Sequence, residues 1–406
     1  MTRIEQALLT VLRSVVHKGE VSDLGLASEE WEKLLLLAQS QELLPLIYDN
    51  VYSCQSFRSL SAETSKGFRE KALQLAMRQI VQSNEFLTLI LHAQALGLDP
   101  VVLKGITVRS LYPRPMLRPS VDEDLLISPE GVEEYHRFFL SEGLEPDDPD
   151  ADLAMVDELS YHKPNSPTYI EMHMKLFSSD SEAYGDCNRL FEGALNRDVS
   201  VPIEDVTVKT LAPTDHLLYL LCHAYKHFLH SGVGIRQVCD IGIYTEKYLN
   251  EIEWERILSS CKSIRIELFA AALFRIAEKH LGFTMPEAFA GFEVDEQPLL
   301  EDILSGGAMG TADEDRLHSG TITLDAVAAQ KSGRKKRGVL ATLFPSAASL
   351  DGRYPYLRKM PWLLPFAWEQ RIFRYLMRKD VKAAESVRIG AERVALLKKY
   401  EIIDEN

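Results

Sequence analysis

Val121-Asp122-Glu123-Asp124-Leu125-Leu126-Ile127-Ser128 sets two aspartates at alternate positions ahead of an apolar run. In an extended chain, residues i and i+2 share a face, so Asp122 and Asp124 project together. Two carboxylates held that close oppose each other's ionisation. A divalent cation removes the conflict, and hard oxygen ligands suit Mg²⁺ or Mn²⁺. A third acid on a neighbouring strand would complete a site able to clamp the two oxygens of an in-line displacement. Glu171 is the candidate: Thr168–Phe177 alternates strictly, with Ile170, Met172, Met174 and Leu176 on one side and Tyr169, Glu171, His173 and Lys175 on the other. His173 shares the Glu171 face and is placed to touch a nucleotide or orient that acid.

Upstream, Leu98–Gly105 (LDPVVLKG) reads as a short strand stopped by glycine, and 106–112 as a helix broken by Pro113 and Pro115. The Lys104-Gly105 junction offers free N–H groups and a positive helix end to a phosphate, with Lys104 as a point charge. Arg118, four residues before Asp122, has the fork geometry for a second phosphate contact. Downstream, Ser128 and Pro129 open a helix that closes at Gly143, and residues 145–158 read as a loop.

The flanking sequence is helical. Residues 1–95 carry apolar positions at helical spacing, with one long helix over 66–96. From Pro213 a helix runs through LLYLLCHAYKHFL; a second follows Gly234 and a third covers 253–262. Residues 300–335 are rich in Gly, Ala, Ser and Thr and are expected to be irregular, with helix resuming from 361. The organisation expected is therefore a helical region 1–95, an α+β core 96–210, a helical region 211–300 completing a cleft, and an irregular insert with C-terminal helices over 301–406. The fold class is α+β, a small mixed sheet in a largely helical chain.

Composition narrows the function. The 406 residues are 46% hydrophobic and 26% charged, which excludes a disordered chain. No apolar run long enough for a membrane span occurs. Net charge is −15, a poor basis for general nucleic-acid binding. Between Lys331 and Lys379, however, twelve basic residues face two acidic ones; that window is +10 and the remainder −25. Such a segment can dock an anionic partner or simply form a solvated face. Five cysteines without a CxxC fit reduced thiols in a cytoplasmic protein. No P-loop, GxGxxG or GxSxG pattern is present.

His223 and His227 stand at i, i+4, a metal-ligand spacing, but HAYKH lacks the glutamate of a zinc hydrolase. They read as a polar cleft wall or as buried structural histidines. A zinc hydrolase would predict stoichiometric zinc in the purified protein. Arg236 and Asp240 are also i, i+4 and can pair along one helix.

Taken in order, Leu103–Gly105, Tyr112-Pro113, Arg118, Asp122–Ile127, Glu171-Met172-His173 and the paired histidines His223 and His227 resemble the uncharacterised nucleotidyltransferase-like proteins of the polymerase-β superfamily. Arg236…Asp240 and the tail YPYLRKMPWLLPFAW (354–368) fit as well, so the resemblance touches roughly 75–380. It implies nucleotidyl transfer from an NTP such as ATP. Asp122, Asp124 and Glu171 would serve as metal-binding and catalytic acids; Lys104, Gly105, Arg118, His173, His223 and His227 would form the nucleotide surface. The acceptor is left open among a small molecule, a sugar, a protein side chain and a tRNA-sized RNA. Two departures stand out: the superfamily's Gly-Ser turn is replaced by Lys104-Gly105, with Thr107 the closest hydroxyl, and Glu123 occupies a usually apolar place where it needs a partner. They motivate an alternative, a catalytically silent nucleotide-binding or interaction module on the same fold.

Overall fold

The computed structural model describes residues 1–308, 314–333, 350, 354, 356–377 and 383–404. Helices α1 (Arg3–Val16), α2 (Ser28–Ser40), α3 (Leu44–Val51) and α4 (Ala62–Ala95) come first. A capping box starts α1: Thr2 Oγ1 accepts the Glu5 N–H and the Glu5 carboxylate accepts the Thr2 N–H. Its apolar stripe, Leu8, Leu9, Val11, Leu12 and Val15, is buried at the i, i+3, i+4 spacing that the sequence carries.

The chain then builds one seven-stranded mixed sheet: β1 (Val101–Val102), β2 (Glu123–Leu126), β3 (Glu145–Pro146), β4 (Glu158–His162), β5 (Tyr169–His173), β6 (Asp198–Ile203) and β7 (Val206–Leu211), in the order β3-β4-β5-β2-β1-β7-β6. Two pairings are parallel, β2 with β5 and β1 with β7; the other four are antiparallel. Between strands lie α5 (Ile106–Arg109) and α6 (Val132–Ser141). The fold is thus α+β, as the sequence implies.

The two sheet faces feed different cores. Val102, Leu125, Ile127, Ile170, Met172 and Val208 pack with Phe86 and Ile90 of α4 and Phe138 and Phe139 of α6. Val101, Leu103, Leu126 and Leu211 face the larger helical body. That body includes α7 (Pro213–His230), α8 (Ile235–Tyr248), α9 (Trp254–Ser263) and α10 (Glu267–Leu281), followed by α11 (Glu287–Ala290), α12 (Gln297–Gly306) and α13 (Glu314–Ser332). Because Asp124 and Leu126 are two apart on β2, Asp124 faces the helical body, where α7 and α8 close over it.

Several segments differ from the sequence expectation. The stretch 300–335 is helical over most of its described length: Leu300, Ile303 and Leu304 of α12 and Ala326 and Val327 of α13 are buried in the main core. Its small residues serve close packing. A Cβ at Gly320 would meet the His230 carbonyl oxygen at 2.0 Å, so glycine lets α13 lie against α7. Strand β4 emerges where the polar loop ends, and the β6–β7 hairpin was not expected. Its turn at Glu204 has φ 52°, a left-handed conformation without the usual glycine. Of the basic segment 331–379, residues 334–349, 351–353, 355 and 378–379 lie outside the described residues; at its start Lys331 Nζ pairs with Asp186 Oδ1 at 2.5 Å.

Candidate active site

The parallel register of β2 and β5 sets Asp124 opposite Glu171. Asp122 immediately precedes β2 and lies on the Asp124 side, because Lys104 Nζ touches both: 3.1 Å to Asp122 Oδ2 and 3.2 Å to Asp124 Oδ2. Asp122 and Asp124 therefore meet at Lys104, and Glu171 stands beside Asp124 on the neighbouring strand. His173, one turn of the pleat beyond Glu171, places Nε2 3.1 Å from Asp124 Oδ1 and 3.6 Å from Glu171 Oε2. Its Nδ1 lies 3.3 Å from Glu158 Oε2 on β4.

The segment leading into β2 is held from both sides. The Gln79 side-chain oxygen accepts the Ser120 N–H at 2.6 Å, and Gln82 donates to the Val121 carbonyl at 3.0 Å, both from α4. Arg236 of α8 donates to the Pro119 carbonyl at 2.6 Å and pairs with Glu42 at 2.9 Å. Arg118 makes a buried two-pronged ion pair with Asp240, Nε to Oδ1 at 3.1 Å and Nη2 to Oδ2, and Tyr112 donates to the same carboxylate at 2.7 Å. Arg236 and Asp240 thus pair elsewhere, not with each other along α8.

Glu123 projects to the opposite face and is fully buried. It has the partner that the sequence demanded: Arg109 Nη2 at 2.6 Å, with the Ile106 N–H at 2.7 Å. This contact also accounts for the glycine after Lys104. Gly105 has φ 71°, and a Cβ there would meet Glu123 Oε2 at 2.2 Å. Thr107 donates to the Leu103 carbonyl and is buried, so its hydroxyl serves the helix start.

The electrostatics follow from burial set against these contacts. Burial alone would lower the Lys104 pKa, but Asp122 and Asp124 outweigh it and hold the ammonium charged, well above its ordinary range. Burial would raise Asp124; Lys104 and His173 reverse that and hold it well below the usual carboxylate range. Glu171 is pushed up, by burial first and then by repulsion from Asp124 and Asp122, against the His173 hydrogen bond. His173 is raised to about 9 because its bonds to Asp124 and Glu171 outweigh burial. Without an added cation, the acids are balanced by Lys104 and His173.

These groups open into a cavity of about 220 Å³ whose wall includes Lys104, Gly105, Asp122, Glu171, His223 and Lys226. Asp124 and His173 lie sealed behind it, 1% and 3% exposed. Across the cavity stand His223 and His227 of α7, their Nε2 atoms 3.1 Å apart. Burial, with Lys104 adding, drives both well below the ordinary histidine range, so the rings are neutral and one donates to the other. Arg118 and Arg236 line the same wall with their guanidinium groups already committed. Lys226, between the histidines in sequence, lines it without an acidic partner among the described residues. No motif in the sequence marks Glu158, and Lys226 is signalled only by its place within the HAYKH stripe.

A divalent cation fits this donor set. One atom each from Asp124, Glu171 and His173 lies within 4.8 Å of the others, with Asp122 outside that cluster; His173 can join the acids as a ligand only by giving up its proton. Asp124 Oδ2 is buried and lacks a hydrogen-bond partner. Such a donor set, carried on adjacent strands of a small mixed sheet, is consistent with the polymerase-β nucleotidyltransferase superfamily. The chain belongs to the uncharacterised nucleotidyltransferase family, whose model matches residues 27–282. No curated protein and no solved structure matches it. No helix among the described residues is long and apolar enough to cross a membrane, and all five cysteines are buried free thiols.

Proposed function

We propose that this protein transfers a nucleotidyl group from an NTP to an acceptor hydroxyl in a reaction that requires Mg²⁺ or Mn²⁺. The hydroxyl oxygen bonds to the α-phosphorus, the bond from that phosphorus to the bridging oxygen breaks, and pyrophosphate leaves. The observation that carries the reading is the β2–β5 register, which sets Glu171 beside Asp124 while Asp122 reaches the same Lys104 ammonium. Asp122, Asp124 and Glu171 would hold the divalent cation, which when bound supplies positive charge to the reacting phosphate.

The chain's own groups take distinct parts. Glu171, held at a raised pKa, is suited to accept the hydroxyl proton. His173 spans Asp124, Glu171 and Glu158 and fixes the acids relative to one another. Lys226 faces the cavity as a cation for the phosphates, Lys104 lines it with its ammonium held between Asp122 and Asp124, and Gly105 lets the backbone approach. His223 and His227 form a neutral polar wall. Arg118 acts through Asp240 to hold the segment before β2. The acceptor class stays among small molecule, sugar, protein side chain and tRNA-sized RNA, and the free thiols fit a cytoplasmic setting.

The test is incubation of the protein with α-labelled NTPs, Mg²⁺ and a cell lysate. Label transfer by the unaltered protein and its loss in Asp122→Asn, Asp124→Asn and Glu171→Gln is the expected outcome. The alternative, a silent nucleotide-binding module, is favoured by one observation: Lys104 already neutralises Asp122 and Asp124. NTP binding without label transfer, unchanged in Asp122→Asn, would decide for it.

A further inference from the structure

Lys104 occupies a peculiar position for a phosphate ligand. Its ammonium lies not out in the cavity but between Asp122 Oδ2 and Asp124 Oδ2, at 3.1 and 3.2 Å. Its side chain is 16% exposed and that of Asp124 is 1% exposed. Asp124 Oδ2 has no hydrogen-bond partner, so its charge is answered at close range by Lys104. These two oxygens belong to the acids to which the proposed function gives a divalent cation. An ammonium and a Mg²⁺ drawn to the same two oxygens repel each other, and the smaller ion needs close octahedral contact at about 2.0–2.1 Å. One must leave for the other to enter.

We propose that Lys104 is a resident cation that keeps the metal position closed until a nucleotide arrives, so that metal and triphosphate bind as a coupled pair. The inference rests on the nucleotidyltransferase reading of the site. Lys104 has a flexible four-carbon stem and lines the cavity, so it can turn from the aspartates toward an anion there. The facing wall suits that anion. It carries Lys226, without an acidic partner among the described residues, and the neutral pair His223 and His227. A triphosphate along this wall gives Lys104 a new partner at the moment a metal takes its old ones. A metal entering alone strips Lys104 of both aspartates and offers nothing in return. Linkage then makes the effect reciprocal: nucleotide tightens metal binding by the factor by which metal tightens nucleotide binding.

The experiment titrates metal-free protein with Mn²⁺ and follows free Mn²⁺ by electron paramagnetic resonance. The unaltered chain is compared with Lys104→Met and Lys104→Gln, each first shown to unfold cooperatively. Both variants are expected to bind Mn²⁺ alone at least tenfold more tightly than the unaltered protein. Equal or weaker binding overturns the inference. A second measurement needs no substitution: acylation of Lys104 by an amine reagent, read by mass spectrometry. Labelling should rise when saturating Mn²⁺ frees the ammonium and fall when α,β-methylene-ATP is added with Mn²⁺; labelling indifferent to Mn²⁺ overturns the inference. Mn²⁺ binding that ignores Lys104 leaves the nucleotidyltransferase reading standing. Absence of Mn²⁺ binding in the unaltered protein with nucleotide, and in both variants, removes that reading and this inference together.

Discussion

Replacing Arg109 with methionine should destabilise the protein far more than replacing Arg109 and Glu123 together. Both side chains are buried, at 1% and 0% exposure, and meet at 2.6 Å. Burial pulls each toward its neutral form, lowering Arg109 and raising Glu123, so the pair holds its charges only through mutual contact. Arg109→Met strands the Glu123 carboxylate with only the Ile106 N–H, and a broken buried pair costs about 3–5 kcal/mol. Glu123→Leu strands the guanidinium, which keeps Ser83 and Ser120, and should cost slightly less. The double variant removes both charges. It leaves the Ile106 N–H without its acceptor and the Ser83 and Ser120 oxygens without the Arg109 donor, at a net cost of about 1 kcal/mol each at most. Its total should therefore be about 1–3 kcal/mol, against about 6–10 kcal/mol for two independent losses of a buried-pair partner. Urea unfolding followed by far-ultraviolet circular dichroism measures all three. A double variant whose loss equals the sum of the single losses would refute the reasoning.

Three further outcomes follow from other contacts. Gly105→Ala should cost about 2–3 kcal/mol, because alanine at φ 71° is strained and its Cβ would lie 2.2 Å from the Glu123 carboxylate; thermal unfolding of the variant checks it. His216 is buried, hydrogen-bonds Thr210 at 3.1 Å, and is pushed down to about 3 by burial. It stays neutral in the fold while the unfolded chain takes up a proton below about pH 6.5. Stability should therefore fall as pH drops through that value, by about 2 kcal/mol at pH 5 from this residue. His216→Gln should flatten the slope of unfolding free energy between pH 7 and 5 by that amount, and an unaltered slope would contradict it. Lys226→Met should weaken binding of a non-hydrolysable NTP about tenfold in equilibrium dialysis, the value of one charge-assisted hydrogen bond, without altering thermal stability.

The elements that carry the acids were legible because each satisfies a local rule. Alternation in 168–177 marks β5, with Ile170 and Met172 both fully buried. The i, i+2 spacing of Asp122 and Asp124 places them together, as Lys104 reports. Helix α6 closes at Gly143, φ 79°, as its sequence implies. Other features depend on distant partners. Strand β1 has only two residues and exists because Val101 and Val102 pair with both β2 and β7. Helix α13 has weak amphipathic character and is fixed by packing against α7 and the C-terminal helix Ala383–Lys399. In the site, Arg118 and Asp240 lie 122 positions apart, so their pairing is invisible to any local pattern. Arg109 is equally hidden, although Glu123 announced that something must answer it.

The distance between Asp124 and Glu171 is not fixed by the length of chain that runs between them. It is set by the spacing of two adjacent strands, about 4.8 Å in any sheet. Insertions in the connection 147–157 between β3 and β4 can lengthen it and reshape the rim without altering that gauge. A slip of β5 by a single residue, by contrast, would turn Glu171 inward and present Ile170 or Met172 in its place. The sheet thus separates what variation can touch from what it cannot: the rim is free to diverge, while the ruler beneath it tolerates no half-measures.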